Sequence, residues 1–169
     1  LEKIDFKNTD TFNFGFDIVD EIAKKYPEKL AMLHLDKNKV ERRFTFNDIK
    51  RASNQVANYF TSLGIKKGDK VMLVLKRHYQ FWFCMVALHK IGAVAIPATN
   101  QLKEHDFEYR YKSAGVKAIV CTADGDTYTY AESAAKKCPQ VETLVMVGGA
   151  KDGWRDFDKE YALFSGKFE

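Results

Sequence analysis

Four short polar clusters in this sequence could do chemistry, each directly after an apolar run. Lys76-Arg77-His78 follows Val71-Met72-Leu73-Val74-Leu75. Thr99-Asn100-Gln101 follows the run over 93–96 and Pro97, Asp124-Gly125-Asp126 follows 118–121, and Gly148-Gly149-Ala150-Lys151 follows 144–147. Arginine offers a phosphate a planar fork and lysine a point charge, so the first cluster suits an anion. It reads equally well as a solvated strand exit ahead of a helix. Thr99 or Asn100 most simply caps the next helix, and Gln101 either hydrogen-bonds a polar ligand or faces water. The glycine pair lacks the Gly-Lys-Ser/Thr ending of a phosphate loop and reads as a turn.

Other chemistries find less support. His34, His78, His89 and His105 never stand at metal-ligand spacing from one another or from a cysteine, so no metal site is expected. His89 reads as a packed or helix-edge residue. No Gly-x-Gly-x-x-Gly and no Gly-x-Ser-x-Gly occurs, and no residue stands out as catalytic. Tyr79, Phe81, Trp82 and Phe83 are close in sequence but cannot all face one way on a helix, so core plus a domain interface is the expected use.

The clusters need elements to position them. A helix is predicted over 12–26, ended by Pro27. Two β-rich runs around Asp36-Lys37-Asn38-Lys39 read as a β-hairpin. Thr45-Phe46-Asn47-Asp48 resembles a capping box opening a helix whose apolar face is Ile49, Ala52, Val56, Ala57, Phe60 and Leu63, stopped at Gly64. From there, apolar runs at 71–75, 93–96, 118–121 and 144–147 alternate with helical stretches at 79–91, 102–114 and 127–138. Buried strands joined by crossover helices mean an α/β fold with a parallel sheet, whose ligand edge is the C-terminal end of the strands. Trp154, Phe157, Tyr161 and Phe164 predict one amphipathic terminal helix. The chain thus divides into helix plus hairpin (1–46), parallel βα units (47–148) and a terminal helix (149–169).

Composition narrows the classes. The 169 residues are 46% hydrophobic and 30% charged, with a net charge of +4. Lysines and arginines are interleaved with acids rather than gathered in a stripe, so no nucleic acid partner is expected. Three separated cysteines fit a reducing compartment, read as cytoplasmic, and no apolar run reaches the roughly 20 residues of a membrane span.

Several segments, in order and over nearly the whole length, resemble the adenylate-forming acyl-CoA synthetases. They are Phe44-Thr45-Phe46 with the later Ser53-Asn54-Gln55-Val56-Ala57-Asn58, then Leu63-Gly64-Ile65-Lys66-Lys67-Gly68-Asp69-Lys70-Val71. Ala87-Leu88-His89-Lys90-Ile91-Gly92-Ala93-Val94 and Asp106-Phe107-Glu108-Tyr109-Arg110 complete the set. Phe81-Trp82-Phe83, Pro97-Ala98-Thr99-Asn100-Gln101, Cys138-Pro139 and Asp152-Gly153-Trp154 are similar to the medium-chain branch, with Ala98 where that branch carries glycine.

The resemblance implies the N-terminal α/β subdomain of the adenylate-forming fold. It implies an enzyme that uses ATP, Mg²⁺ and CoA to convert a carboxylic acid through an acyl-adenylate to acyl-CoA, with Gln101 as a CoA contact. The family's Ser/Thr/Gly-rich phosphate loop, ribose-binding Asp and catalytic Lys lie past Glu169 in relatives. The chain alone is therefore expected to be inactive, to associate with the remainder of its own polypeptide, and to self-associate through the surface left uncovered. Asp124-Gly125-Asp126-Thr127 stands where acetate-using members place arginines. The alternatives are a free-standing binding or regulatory module of the same descent and an unrelated α/β nucleotide-binding protein.

Overall fold

The computed structural model describes residues 10–169; the first nine positions of the 1–46 region lie outside the described residues. Asn13 opens the structure, its side-chain oxygen accepting the N–H groups of Gly15 and Phe16 at 2.9 and 3.3 Å. The predicted first helix is two pieces, a π-helical stretch Phe14–Asp20 running into α1 (Glu21–Lys25). The hairpin follows as β1 (Leu30–Leu35) and β2 (Glu41–Thr45), antiparallel. Asp36 shapes its turn, accepting the N–H of Asn38 and of Val40, each at 2.9 Å.

The capping box forms as read. Thr45 Oγ1 accepts the Asp48 N–H at 3.1 Å and the Asp48 carboxylate accepts the Thr45 N–H at 2.8 Å, starting α2 (Phe46–Ser62). The βα units then run β3 (Lys70–Val74), α3 (Gln80–Ile91), β4 (Val94–Pro97), α4 (Glu104–Ala114), β5 (Val116–Thr122), α5 (Thr127–Ala135) and β6 (Thr143–Val147). Helices α3 and α4 end at Gly92 and Gly115, whose φ of 76° and 64° is left-handed and costs a residue without a Cβ little.

All strands of this sheet are parallel, in the order β4-β3-β5-β6-β7, the last being the short strand Arg155–Asp156. Central β3 alternates between two cores. Val71 and Leu73 face α2 and α3 with Val56, Phe60, Phe83 and Leu88, while Met72 and Val74 face α4 and α5 with Phe107, Tyr111, Ala131 and Cys138. This two-sided burial is why the run carries no polar alternation. Strand β4 departs from the reading as a buried strand: it is the sheet edge, and Val94 is exposed.

The tail also differs from the prediction. Trp154 to Phe164 is not one helix. Gly153, at φ 82°, turns the chain, and Arg155–Asp156 adds a fifth strand, β7, beside Val145 and Met146. Only then does α6 (Phe157–Glu160) begin, followed by a 3₁₀ turn Tyr161–Leu163. The aromatic spacing imitates a helix because its members serve opposite faces of the sheet. Trp154 packs with Tyr128 on the α5 side, and Phe157 packs with Tyr59 and Phe60 on the α2 side.

Candidate functional site

Because the strands are parallel, all their C-terminal ends meet one edge of the sheet. The chain crosses outward from β3 to β4 and then returns past β3 to β5, so the connections diverge between β3 and β5. Such a switch point leaves a crevice at the carboxyl ends of the strands. A cleft of about 1010 Å³ lies there, roofed on one side by the hairpin.

The β3 exit forms its floor. His78 hydrogen-bonds Thr122 Oγ1 across the switch point at 2.7 Å, and the same hydroxyl oxygen accepts the Asp124 N–H at 3.0 Å. Burial pushes the His78 pKa below its ordinary value, against the pull of Asp124 and Asp158, so the ring is neutral near pH 7. Tyr79 packs tilted against Phe44 and edge-on to His34 and Phe83, with ring centroids 5.0, 5.3 and 5.4 Å away.

The hairpin is fastened to this floor. His34 Nε2 donates to the Arg77 carbonyl at 2.7 Å, since a carbonyl oxygen can only accept. Arg42 donates to Asp36 at 2.9 Å, and this bond is the main reason the Asp36 carboxyl is held below the usual range. The far wall is tied by Asp158 of α6, which accepts from Gln80 Nε2 at 2.8 Å and from the Gly148 N–H at 2.9 Å.

The structure brings Lys76, Arg77, His78, Thr99, Asn100 and Asp124 together in this cleft. Gln101 is exposed in the next turn, one residue beyond the lining, with its N–H donated to Thr99 Oγ1 at 3.2 Å. Neither Thr99 nor Asn100 caps a helix, contrary to the simplest reading. Helix α4 starts at Glu104 instead, where the Lys103 N–H donates to the Asp106 carboxylate at 3.0 Å, and the Asn100 carbonyl accepts from Thr127 Oγ1 at 2.7 Å. Lys151 lies elsewhere, paired with Glu132 at 2.9 Å, and Gly149 packs so tightly on Ala123 that a Cβ there would sit 2.7 Å from it. His89 is half-buried with Phe14 edge-on to its ring, and His105 is a surface neighbour of Asp106.

Sequence reasoning missed the hairpin wall and Asp158. Asp36 is legible as a turn residue, but its place at the strand ends, like those of Arg42 and Asp158, carries no local signal, because only the folding back of distant segments creates it.

The chemistry the cleft offers is binding. Lys76 and Arg77 are exposed at its mouth, and among the described residues no ion pair engages either side chain. Two such cations suit a phosphate-bearing ligand. No group of three His, Cys, Asp or Glu that could hold a metal ion is found among the described residues. No described helix is long and apolar enough to cross a membrane.

The sequence profile of the AMP-binding enzyme family matches residues 19–163. The mitochondrial acyl-coenzyme A synthetase ACSM5 of Rattus norvegicus is 31% identical over 153 residues, which are 86% of this chain and 26% of that protein. The mitochondrial acyl-coenzyme A synthetase ACSM1 of Mus musculus is 31% identical over 161 residues, 90% of this chain and 28% of that protein. Among solved structures, the anthranilate CoA ligase AuaEII in complex with anthranoyl-AMP superposes with a TM-score of 0.79 at 22% identity, covering 97% of this chain and 31% of that one. An acyl-CoA synthetase of Brucella canis gives a TM-score of 0.78 at 21% identity, covering 94% of this chain and 28% of that one. The chain therefore spans between a quarter and a third of the proteins it resembles. With the profile running through most of its length, over the hairpin, the parallel sheet and the turn that ends α6, this chain belongs to the AMP-binding enzyme family.

Proposed function

We propose that this chain is the N-terminal portion of an ATP-dependent acyl-CoA synthetase that joins a carboxylic acid to CoA through an acyl-adenylate. The observation that carries this reading is the agreement between the family profile and relatives that are themselves named acyl-coenzyme A synthetases. The medium-chain resemblance makes a fatty or other small organic acid the substrate class.

The part assigned to this chain is one wall of the CoA path. Lys76 and Arg77 would face phosphate, and Gln101, at the rim, would hydrogen-bond an uncharged part of CoA. ATP and Mg²⁺ are assigned to the portion of the relatives' length that this chain does not span, where the resemblance places the phosphate loop, the ribose-binding Asp and the catalytic Lys. Its first partner is then the remainder of its own polypeptide. Three buried free thiols, Cys84, Cys121 and Cys138, suit a reducing compartment. Cytoplasm is the reading made from sequence; the relatives' names give mitochondria.

The test is pyrophosphate release from ATP with octanoate, butyrate or benzoate. The 169 residues alone are expected to give none, and a polypeptide continuing into the segments present in the relatives is expected to give acid-dependent release. Acid-dependent release by the 169 residues alone would overturn the assignment of ATP chemistry to other segments. A second reading, a self-contained binding module, is favoured by the sheet being covered by helices on both faces. Absence of release from every longer polypeptide containing the chain would select it.

A further inference from the structure

Two stretches far apart in sequence meet over one buried lysine. The Lys90 side chain on α3 is fully buried, and its ammonium donates to Asp20 at 2.7 Å and to Asn54 Oδ1 at 2.6 Å. Asp20 belongs to the N-terminal segment. That segment is also held to the end of α3 by Asn13, which donates to the His89 carbonyl at 2.7 Å, and by Gly15, whose missing Cβ leaves room for the Lys90 stem.

Asn54, on α2, faces the other way with its amide nitrogen and donates to the Gly166 carbonyl at 2.9 Å. Beside it, Gln55 donates to the carbonyls of Ala162 and Phe164 at 3.2 and 3.1 Å, and Asn58 to those of Ser165 and Lys167 at 2.9 and 2.8 Å. Three side-chain amides of one helix thus grip the main chain of 162–167. The rings of Phe16 and Phe168 complete the junction, 6.4 Å apart and 4° from parallel.

We propose that Lys90 and Asn54 are a clasp that couples the N-terminal segment 13–25 to the segment 162–168, so that the two open together. The ammonium fixes which way the Asn54 amide points, because the flipped amide would present an N–H group to a cation. With Asp20 released, Lys90 loses its counter-charge in a buried place and must leave it or lose its proton. Either event frees the Asn54 amide to rotate and drop Gly166. The three amides hold 162–167 by its carbonyls, beside the packing of Phe164 on Tyr59 and of Phe168 on Phe16. This gives Ser53-Asn54-Gln55-Val56-Ala57-Asn58 a physical role independent of the ligand cleft.

Limited trypsin digestion read by mass spectrometry tests the coupling, because cleavage after Lys24 or Lys25 reports one segment and after Lys167 the other. When opening is fast relative to cutting, the rate follows the population of the open form. Asp20→Asn is expected to raise both rates together, by about tenfold or more. Asn58→Ala, which loosens only the second segment, is expected to raise cleavage after Lys167 alone. In an Asn54→Ala background, Asp20→Asn is expected to leave cleavage after Lys167 unchanged, the signature of a severed link. The proposal is overturned if Asp20→Asn accelerates cleavage only after Lys24 and Lys25. It is also overturned if cleavage after Lys66 and Lys67 rises by the same factor, since the opening would then be global.

Discussion

The ring of His78, in the loop leaving β3, is hydrogen-bonded at 2.7 Å to the hydroxyl of Thr122, the last residue of β5. This bond spans the point where the sheet's connections diverge, and burial disfavours charging the ring that makes it. Burial depresses the His78 pKa below 6.5, and burial lowers that of half-buried His89 as well. The sign follows from linkage. Between the folded value and 6.5 the unfolded chain binds more protons, so stability is full above about pH 6.5 and falls as pH drops through that window. Urea midpoints measured from about pH 8 to about pH 5 are expected to decline below pH 6.5, and His78→Gln is expected to flatten part of that decline. A midpoint independent of pH above 5 would contradict the neutral ring.

The start of α2 gives a second test. The Thr45 hydroxyl accepts the Asp48 N–H and the Asp48 carboxylate accepts the Thr45 N–H. Thr45→Ala removes the side-chain half of this exchange and is expected to cost about 1 kcal/mol, visible as a fall of about 2–4 °C in melting temperature.

The capping box, the hairpin and the alternation of strand and helix were legible because each is local. The spacing of Thr45 and Asp48, the polar turn at Asp36–Lys39 with its flanking runs, and glycines at helix ends all act within a few residues. The tail was misread because its aromatic periodicity of three to four mimics a helix. Nothing local says that Trp154 and Phe157 serve different cores, or that Arg155 and Asp156 pair with Val145 and Met146. Four of the candidate clusters were legible as strand exits, since parallel strands must end together. The hairpin wall, Asp158 and the reversal of strand order that opens the cleft depend on contacts between distant segments, which no spacing records.

Phe157 tests whether the tail belongs to the core. Its ring is fully buried between Tyr59, Phe60 and Tyr161. Phe157→Ala leaves a cavity there and is expected to cost about 3–5 kcal/mol in chemical denaturation. A loss under about 1 kcal/mol would mean the tail adds little to folding.

The outer face of the hairpin carries Leu33 and Leu35 at 53% and 56% exposure, with Trp82 at 54% nearby. Apolar surface of this kind promotes association. Sedimentation of the 169-residue chain is expected to show concentration-dependent self-association, reduced by Leu33→Lys with Leu35→Lys. A monomer at high concentration, with no binding of a hydrophobic dye, would show that this face needs no cover.

Gln101→Ala is the sharpest test of the proposed ligand path. Gln101 stands exposed in the turn between β4 and α4, and only its backbone N–H is engaged, by Thr99 Oγ1. Helix α4 is started by Lys103 and Asp106 without it. Truncating the side chain therefore removes no intramolecular bond, and stability is expected to stay within about 0.5 kcal/mol. That separates a ligand role from a folding role before any kinetics are measured. If the side chain hydrogen-bonds an uncharged part of CoA, its loss costs about 0.5–1.5 kcal/mol, a few-fold to roughly tenfold in affinity. In the proposed reaction adenylate formation precedes CoA use, so the two half-reactions are expected to respond differently. In a catalytically competent polypeptide containing this chain, the KM for CoA is expected to rise while acid-dependent ATP–pyrophosphate exchange is unchanged. If both half-reactions are untouched, Gln101 has no part in CoA binding. If both fall together at unchanged stability, the turn acts on the whole site rather than on CoA.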